Sequence, residues 1–84
     1  MTERLTVTLA QAEGAIVRVL GLVERRGYVL RGLSMKEKAD SASLVIDVEP
    51  RDGSRRTPVL AQQLARLIDV RAVSLATRDA GSLA

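Results

Sequence analysis

Leu5, Val7 and Leu9 alternate with Arg4, Thr6 and Thr8, a period of two that predicts a strand with one buried face. The rhythm then lengthens. Ile16, Val19, Leu20 and Val23 fall at i, i+3, i+4 and i+7, the stripe of a helix packed on one side, with Arg18, Glu24 and Arg25 off it. Gln11-Ala12-Glu13-Gly14 connects the two segments. Gly27 stands where a helix leaves through the left-handed region. Gly21, in mid-helix, costs about 1 kcal/mol against Ala, so it either marks the close approach of another backbone or is merely tolerated.

Tyr28 to Lys36 predicts a second strand with a fault in its phase. Tyr28 and Leu30 share one parity, Leu33 and Met35 the other, and the switch falls at Arg31-Gly32, where Gly permits a bulge. Glu37 to Ser41 is a polar hairpin loop. Leu44, Ile46 and Val48 then alternate with Ser43, Val45 and Asp47 as a third strand. Pro50-Arg51-Asp52-Gly53-Ser54-Arg55-Arg56 has the composition of a turn-rich loop. Thr57-Pro58 predicts a helix start, with the Thr57 hydroxyl as N-cap and Pro58 at the first helical position. Leu60, Leu64 and Leu67 form its buried stripe with Ile68 beside it, and Val70 to Ala76 is a last strand with Val73 and Leu75 facing inward.

The order β-α-β-β-α-β contains two split β-α-β halves. It predicts an α+β, ferredoxin-like domain, a four-stranded antiparallel sheet with both helices on one face. Right-handed crossovers place the first and third strands centrally and leave the second and fourth as edges. The domain is expected to span residues 1–77, with 78–84 as a flexible C-terminal tail.

Eighty-four residues make one small domain with a thin margin from its own core, a size at which self-association is a common source of stability. The chain has no Cys and no His. That removes disulfides, the common zinc frameworks, a thiol nucleophile and the usual general base. With no nucleophile–base pair in view, the chain is not expected to be an enzyme, and no metal is expected. The net charge is +3, and all but Lys36 and Lys38 of the thirteen basic residues are Arg. Excess base raises nucleic acid as a partner, but Tyr28 is the one aromatic residue, too few for a base-stacking platform. Only a patch that tracks phosphates stays open. Met-Thr-Glu-Arg lacks a signal-peptide layout, and Arg18 interrupts the longest apolar run, Ala15 to Val23, well short of the ~20 residues that span a bilayer. The expected location is cytoplasmic, away from the membrane.

Three groups of residues have chemistry to weigh. Gln11 to Ala15 open the first helix, where backbone N–H groups lack intrahelical partners and the positive end of the dipole lies. A carboxylate can sit there, with Gly14 allowing close approach and Gln11 donating a further bond. The alternative is an ordinary strand-to-helix turn, and the Glu13 carboxylate competes for the same position. Arg25, Arg26, Arg51, Arg55 and Arg56 suit carboxylate pairing across an interface, or are a solvated surface. Asp47 and Glu49 share a strand face as hard-cation ligands do, yet nothing completes such a site.

Val7-Thr8-Leu9, Gln11-Ala12-Glu13-Gly14-Ala15, Arg18-Val19-Leu20-Gly21-Leu22 and Arg26-Gly27-Tyr28 together resemble an ACT domain. More narrowly they resemble the small regulatory subunit of acetolactate synthase (acetohydroxyacid synthase), of the short single-domain type. Leu64, Leu67-Ile68-Asp69-Val70 and Val73 are similar to that family's second helix and last strand. The resemblance implies a non-catalytic subunit without a cofactor of its own. It binds and activates a catalytic large subunit that holds thiamine diphosphate, FAD and Mg, in branched-chain amino-acid biosynthesis. It further implies a homodimer joined through edge strands. A small amino-acid effector then sits between the first strand–helix loop of one domain and the second strand of its neighbour.

On this sequence the effector candidates are Gln11, Glu13, Gly14, Ala15, Ile16 and Val29. Two of them depart from the family. Gln11 stands where Asn is usual, and Val29 stands where the valine-responsive type has Asn. A branched apolar residue cannot hydrogen-bond an effector's polar groups, so valine feedback is expected to be weak or absent. Arg25, Arg26 and Tyr28 are the candidate partner interface, as exposed residues of types favoured there. A stand-alone ACT-type amino-acid sensor is the other reading of the same resemblance.

Overall fold

The computed structural model describes residues 2–10, 14–52 and 56–77. Its elements are β1 (Glu3–Ala10), α1 (Ala15–Arg25), β2 (Tyr28–Glu37), β3 (Ser41–Pro50), α2 (Thr57–Ala65) and β4 (Val70–Thr77). The sheet order is β2-β3-β1-β4, every pair antiparallel. This is the ferredoxin-like βαββαβ arrangement, with β1 and β3 inside and β2 and β4 at the edges. The proposed tail, residues 78–84, lies outside the described residues.

Alternation decides which side of each strand is buried. Leu5, Val7 and Leu9 of β1 and Leu44, Ile46 and Val48 of β3 are at most 1% exposed and meet Val19, Leu22 and Val23 of α1 and Leu60 and Leu64 of α2. At roughly 1.5–3 kcal/mol for each large apolar side chain removed from water, this seam holds both helices on one face of the sheet. The other face presents Arg4, Thr6 and Thr8, and Ser43, Val45 and Asp47. On α1 the buried positions are Ala15, Val19, Leu22 and Val23, so the contact is centred slightly to one side of the Ile16–Leu20 line, and those two residues form its half-buried border.

The phase fault in β2 is a bulge. Leu30 faces Val48, Gly32 faces Asp47 and Leu33 faces Ile46, with the register shifting between Leu30 and Gly32. The extra residue turns Tyr28, Leu30, Leu33 and Met35 to the helix side together. Glycine leaves room here, because a Cβ on Gly32 would lie 2.9 Å from Asp47 Oδ2 and push that carboxylate aside. Asp47 instead accepts two bonds from the Arg4 guanidinium, at 2.9 and 3.3 Å. Leu33 and Met35, past the bulge on the open edge, remain 50% and 45% exposed.

α1 begins at Gly14, the N-cap, with φ +80°, and ends through Gly27, with φ +88°. Gly27 N–H donates to Glu24 O at 3.1 Å, and its own carbonyl accepts from Arg51 N–H at 2.9 Å, which fastens this corner to the end of β3. One open alternative is decided and two local expectations are corrected. No backbone approaches Gly21: the nearest atom to a Cβ there is an Arg25 guanidinium nitrogen at 3.4 Å. Thr57 is not the cap of α2: Arg56 is, in extended conformation, and Thr57 is a buried first-turn residue, since the Pro ring fits either of the first two helical positions. Ile68 is 93% exposed, because α2 stops at Ala65 and tighter bonds from Arg66 N–H to Gln63 O and from Leu67 N–H to Leu64 O end the helical phase first.

Candidate functional site

β1, α1 and the β2–β3 hairpin converge at one end of the sheet. Leu9 faces Ala42 across β1–β3, and Ala42 faces Glu37 across β3–β2. Above this row begins α1. Between them opens a cleft of about 160 Å³, walled by Ala10, Ala15, Ile16, Met35, Glu37 and Ala42 over a floor that includes Leu9. The cleft exists because three of its walls are alanine. The helix-facing series of β3 runs Ala42, Leu44, Ile46, Val48, and its smallest member lies where a longer side chain would fill the space.

Two expected residues, Ala15 and Ile16, line the cleft, and Gly14 adjoins them as the N-cap of α1. Gly14 has no side chain with which to cap the helix, and the first turn holds no acidic residue. The N–H groups at this end therefore favour an anion. Gln11 and Glu13 lie outside the described residues. Val29 is at the other end of β2, paired with Glu49 on the face away from the helices, so one chain alone does not bring it to the cleft. Met35, Glu37 and Ala42 reach the site through sheet pairing alone. The sequence's one hint of them is the small Ala42 at the end of an otherwise large apolar series.

An ion pair beside the cleft joins distant parts of the chain. The Arg18 guanidinium donates to the Asp69 carboxylate, and Asp69 is 9% exposed as a whole residue. The Asp69 carbonyl accepts from Ala10 N–H at 2.8 Å. Arg18 also lies over Gly14, where a Cβ would be 3.0 Å from its Nη1. One side chain thus braces the start of α1 against the end of β1 and the turn into β4. Gly14 answers two demands, a left-handed backbone and room for that guanidinium.

The sheet's open face holds two more pairs. Arg4 bonds Asp47, and that contact raises the Arg4 pKa. Arg31 bonds Glu49 at 2.8 Å, and this hydrogen bond, with the accompanying charge attraction, holds the Glu49 carboxyl below its usual range. Asp47 and Glu49 are therefore engaged by guanidinium groups. Among the described residues no group of three or more acidic side chains is placed to hold a metal ion.

Tyr28 departs from the expectation of an interface residue. It is 2% exposed and belongs to the core cluster, since the strand's parity turns it under α1. Arg25 and Arg26 are exposed as expected. Among the described residues no helix is long and apolar enough to cross a membrane.

The cleft can take a small zwitterion, with its carboxylate toward the α1 N–H groups, its ammonium toward Glu37 and an aliphatic group on the alanine-lined wall. Its size suits a single amino acid better than a larger ligand. Among the described residues no catalytic constellation accompanies it.

Known proteins share this fold. The fold is similar to an ACT domain protein from Streptococcus pneumoniae, with TM-score 0.77 and 13% identity over 96% of this chain and 93% of that one. It is similar to the ACT domain from GTP pyrophosphokinase of Chlorobium tepidum, with TM-score 0.76 and 10% identity over 90% and 97%. A formyltetrahydrofolate deformylase from Burkholderia mallei contains a similar unit, with TM-score 0.70 and 15% identity over 90% of this chain and 28% of that one. At these identities the likeness is one of fold. No curated protein matches the sequence. The family model of the ACT domain matches residues 11–73, three quarters of the chain, from the loop before α1 into β4. The chain therefore belongs to the ACT domain family, whose members are regulatory rather than catalytic and serve in amino-acid sensing.

Proposed function

We propose that this chain is the regulatory small subunit that binds and activates the catalytic subunit of acetolactate synthase in branched-chain amino-acid biosynthesis, with weak or absent valine feedback. The thiamine diphosphate, FAD and Mg belong to that partner. One observation carries the reading. Gly14, Arg18-Val19-Leu20-Gly21-Leu22 and Arg26-Gly27-Tyr28 form a continuous strand–helix–strand unit in an ACT domain, and each keeps a structural role. Gly14 and Gly27 supply two left-handed residues, Arg18 braces the start of α1, and Tyr28 fills the core. The exposed β2 edge, with Leu33 and Met35 uncovered beside it, supports pairing of two copies. Such pairing would run the β2 of the neighbouring chain, which carries Val29, alongside the cleft-lining end of this one.

The test is the acetolactate-forming rate of the large subunit from the same organism, measured with increasing amounts of this chain. A rise that saturates near one small chain per large chain is expected. No rise and no co-elution would refute the reading. Valine added to the activated complex should change the rate little, and Gln11→Asn with Val29→Asn should strengthen any response. A second reading, a stand-alone sensor of a small amino acid, is favoured by the alanine-lined cleft. It predicts thermal stabilisation by one amino acid without any association with the synthase.

A further inference from the structure

The arginines of this domain fall into two classes. Arg4, Arg18 and Arg31 are each paired to a carboxylate of the same chain. Arg25, Arg26, Arg51, Arg56, Arg66 and Arg71 are exposed, and among the described residues they enter no ion pair. Four of these six, Arg25, Arg26, Arg51 and Arg56, lie together at the end of the sheet opposite the cleft, and Arg66 and Arg71 lie at the other. Arg25 and Arg26 close α1, Arg51 follows β3 and Arg56 caps α2. The bond from Arg51 N–H to the Gly27 carbonyl holds the first two of these corners together. Among the described residues four carboxylates share this end: Glu3 is half-buried, Asp52 already has a partner, Glu49 is bonded by Arg31, and Glu24 is exposed.

Arg56 is the informative member. The N-cap of a helix favours Ser, Thr, Asp or Asn, and the positive end of the dipole disfavours a cation. α2 has an arginine there, no side-chain cap and no acid in its first turn. A local rule broken in favour of positive charge marks a surface selected for something other than folding.

We infer that this arginine end is a docking surface for an acidic face of a protein partner. The inference rests on the reading of the chain as a regulatory domain that acts on a separate protein. Guanidinium groups suit carboxylates, with which this chain already pairs them three times. Tyr28, the one aromatic residue, is buried, so this end offers no platform for nucleic-acid bases. The arrangement also leaves the cleft and the β2 edge unobstructed, so partner docking and effector binding use opposite ends of one domain.

The test titrates the full chain with poly-L-glutamate and, separately, with duplex DNA at equal charge concentration, following backbone amide shifts. Shifts concentrated on residues 24–27, 51–52 and 56–57 are expected with polyglutamate. A variant with Arg25, Arg26, Arg51 and Arg56 each replaced by Gln should lose at least tenfold in affinity. Arg51→Gln with Arg56→Gln alone should lose severalfold without touching α1, and Arg66→Gln with Arg71→Gln, at the other end, should bind as wild type. Melting curves establish that each variant is folded. Shifts spread over the whole surface, equal loss in the Arg66/Arg71 control, or tighter binding of DNA than of polyglutamate would each overturn the proposal. The same variants are then assayed for association with the acetolactate synthase large subunit. Failure of the wild-type chain to bind that subunit sinks the synthase reading, while the polyglutamate result decides the docking surface by itself.

Discussion

Arg18→Met removes the guanidinium but keeps the unbranched stem, so it isolates the bond to Asp69 from the packing of the side chain. A hydrogen bond to a charged group is worth about 1.5–3 kcal/mol net. The Arg18 side chain is 45% exposed and that of Asp69 11%, so water screens the cation's half of the pair and lowers the expected coupling to about 1–2 kcal/mol. In a domain of this size a loss of 1.5 kcal/mol corresponds to a fall in Tm of roughly 6–12 °C. Urea unfolding of wild type, Arg18→Met, Asp69→Asn and the double variant gives the coupling from a double-mutant cycle. The pair also holds the turn whose carbonyl accepts from Ala10 N–H, so both single variants should speed hydrogen exchange at Ala10 more than at Leu5. A coupling below about 0.3 kcal/mol would place the two sites in the additive range and refute the idea of a brace. So would unchanged exchange at Ala10.

Gly32→Val should destabilise by about 1–3 kcal/mol in urea unfolding, because its Cβ meets Asp47 Oδ2 at 2.9 Å, and the loss should shrink in an Asp47→Ala background. Leu64→Ala should cost about 2–5 kcal/mol, whereas Ile68→Ala, four positions on but 93% exposed, should stay within about 0.5 kcal/mol of wild type. Arg31→Gln should return the Glu49 carboxyl toward its ordinary range, read by NMR titration. Because the folded pKa is lowered, the stabilisation from this pair is present above the unfolded value. It is lost as pH falls through the folded one, so wild type and variant should converge in stability at acid pH.

Most of the sheet is legible in the residue pattern. Strict alternation in Leu5-Val7-Leu9 and Leu44-Ile46-Val48 admits one pairing face, and the parity switch across Arg31-Gly32 identifies the bulge without coordinates. The end of α2 is not legible, because apolar periodicity runs on through Leu67 and Ile68 after the backbone has tightened out of the helix. The site is legible only where it is local. Gly14, Ala15 and Ile16 lie in one continuous stretch, but Met35, Glu37 and Ala42 arrive by strand pairing, and Arg18 meets Asp69 across 51 positions. Side-chain type suggested an exposed Tyr28, and strand parity overrode it.

The bulge in β2 has a consequence for which chains can join the sheet. A straight, ten-residue edge would accept any extended segment and act as a template for fibre growth. This edge bends once, near its middle, and a strand that extends the sheet here must bend in the same place or leave its neighbours unbonded. A second copy of β2, run antiparallel with its bulge opposite this one, would supply that bend, whereas a straight, unrelated strand would not.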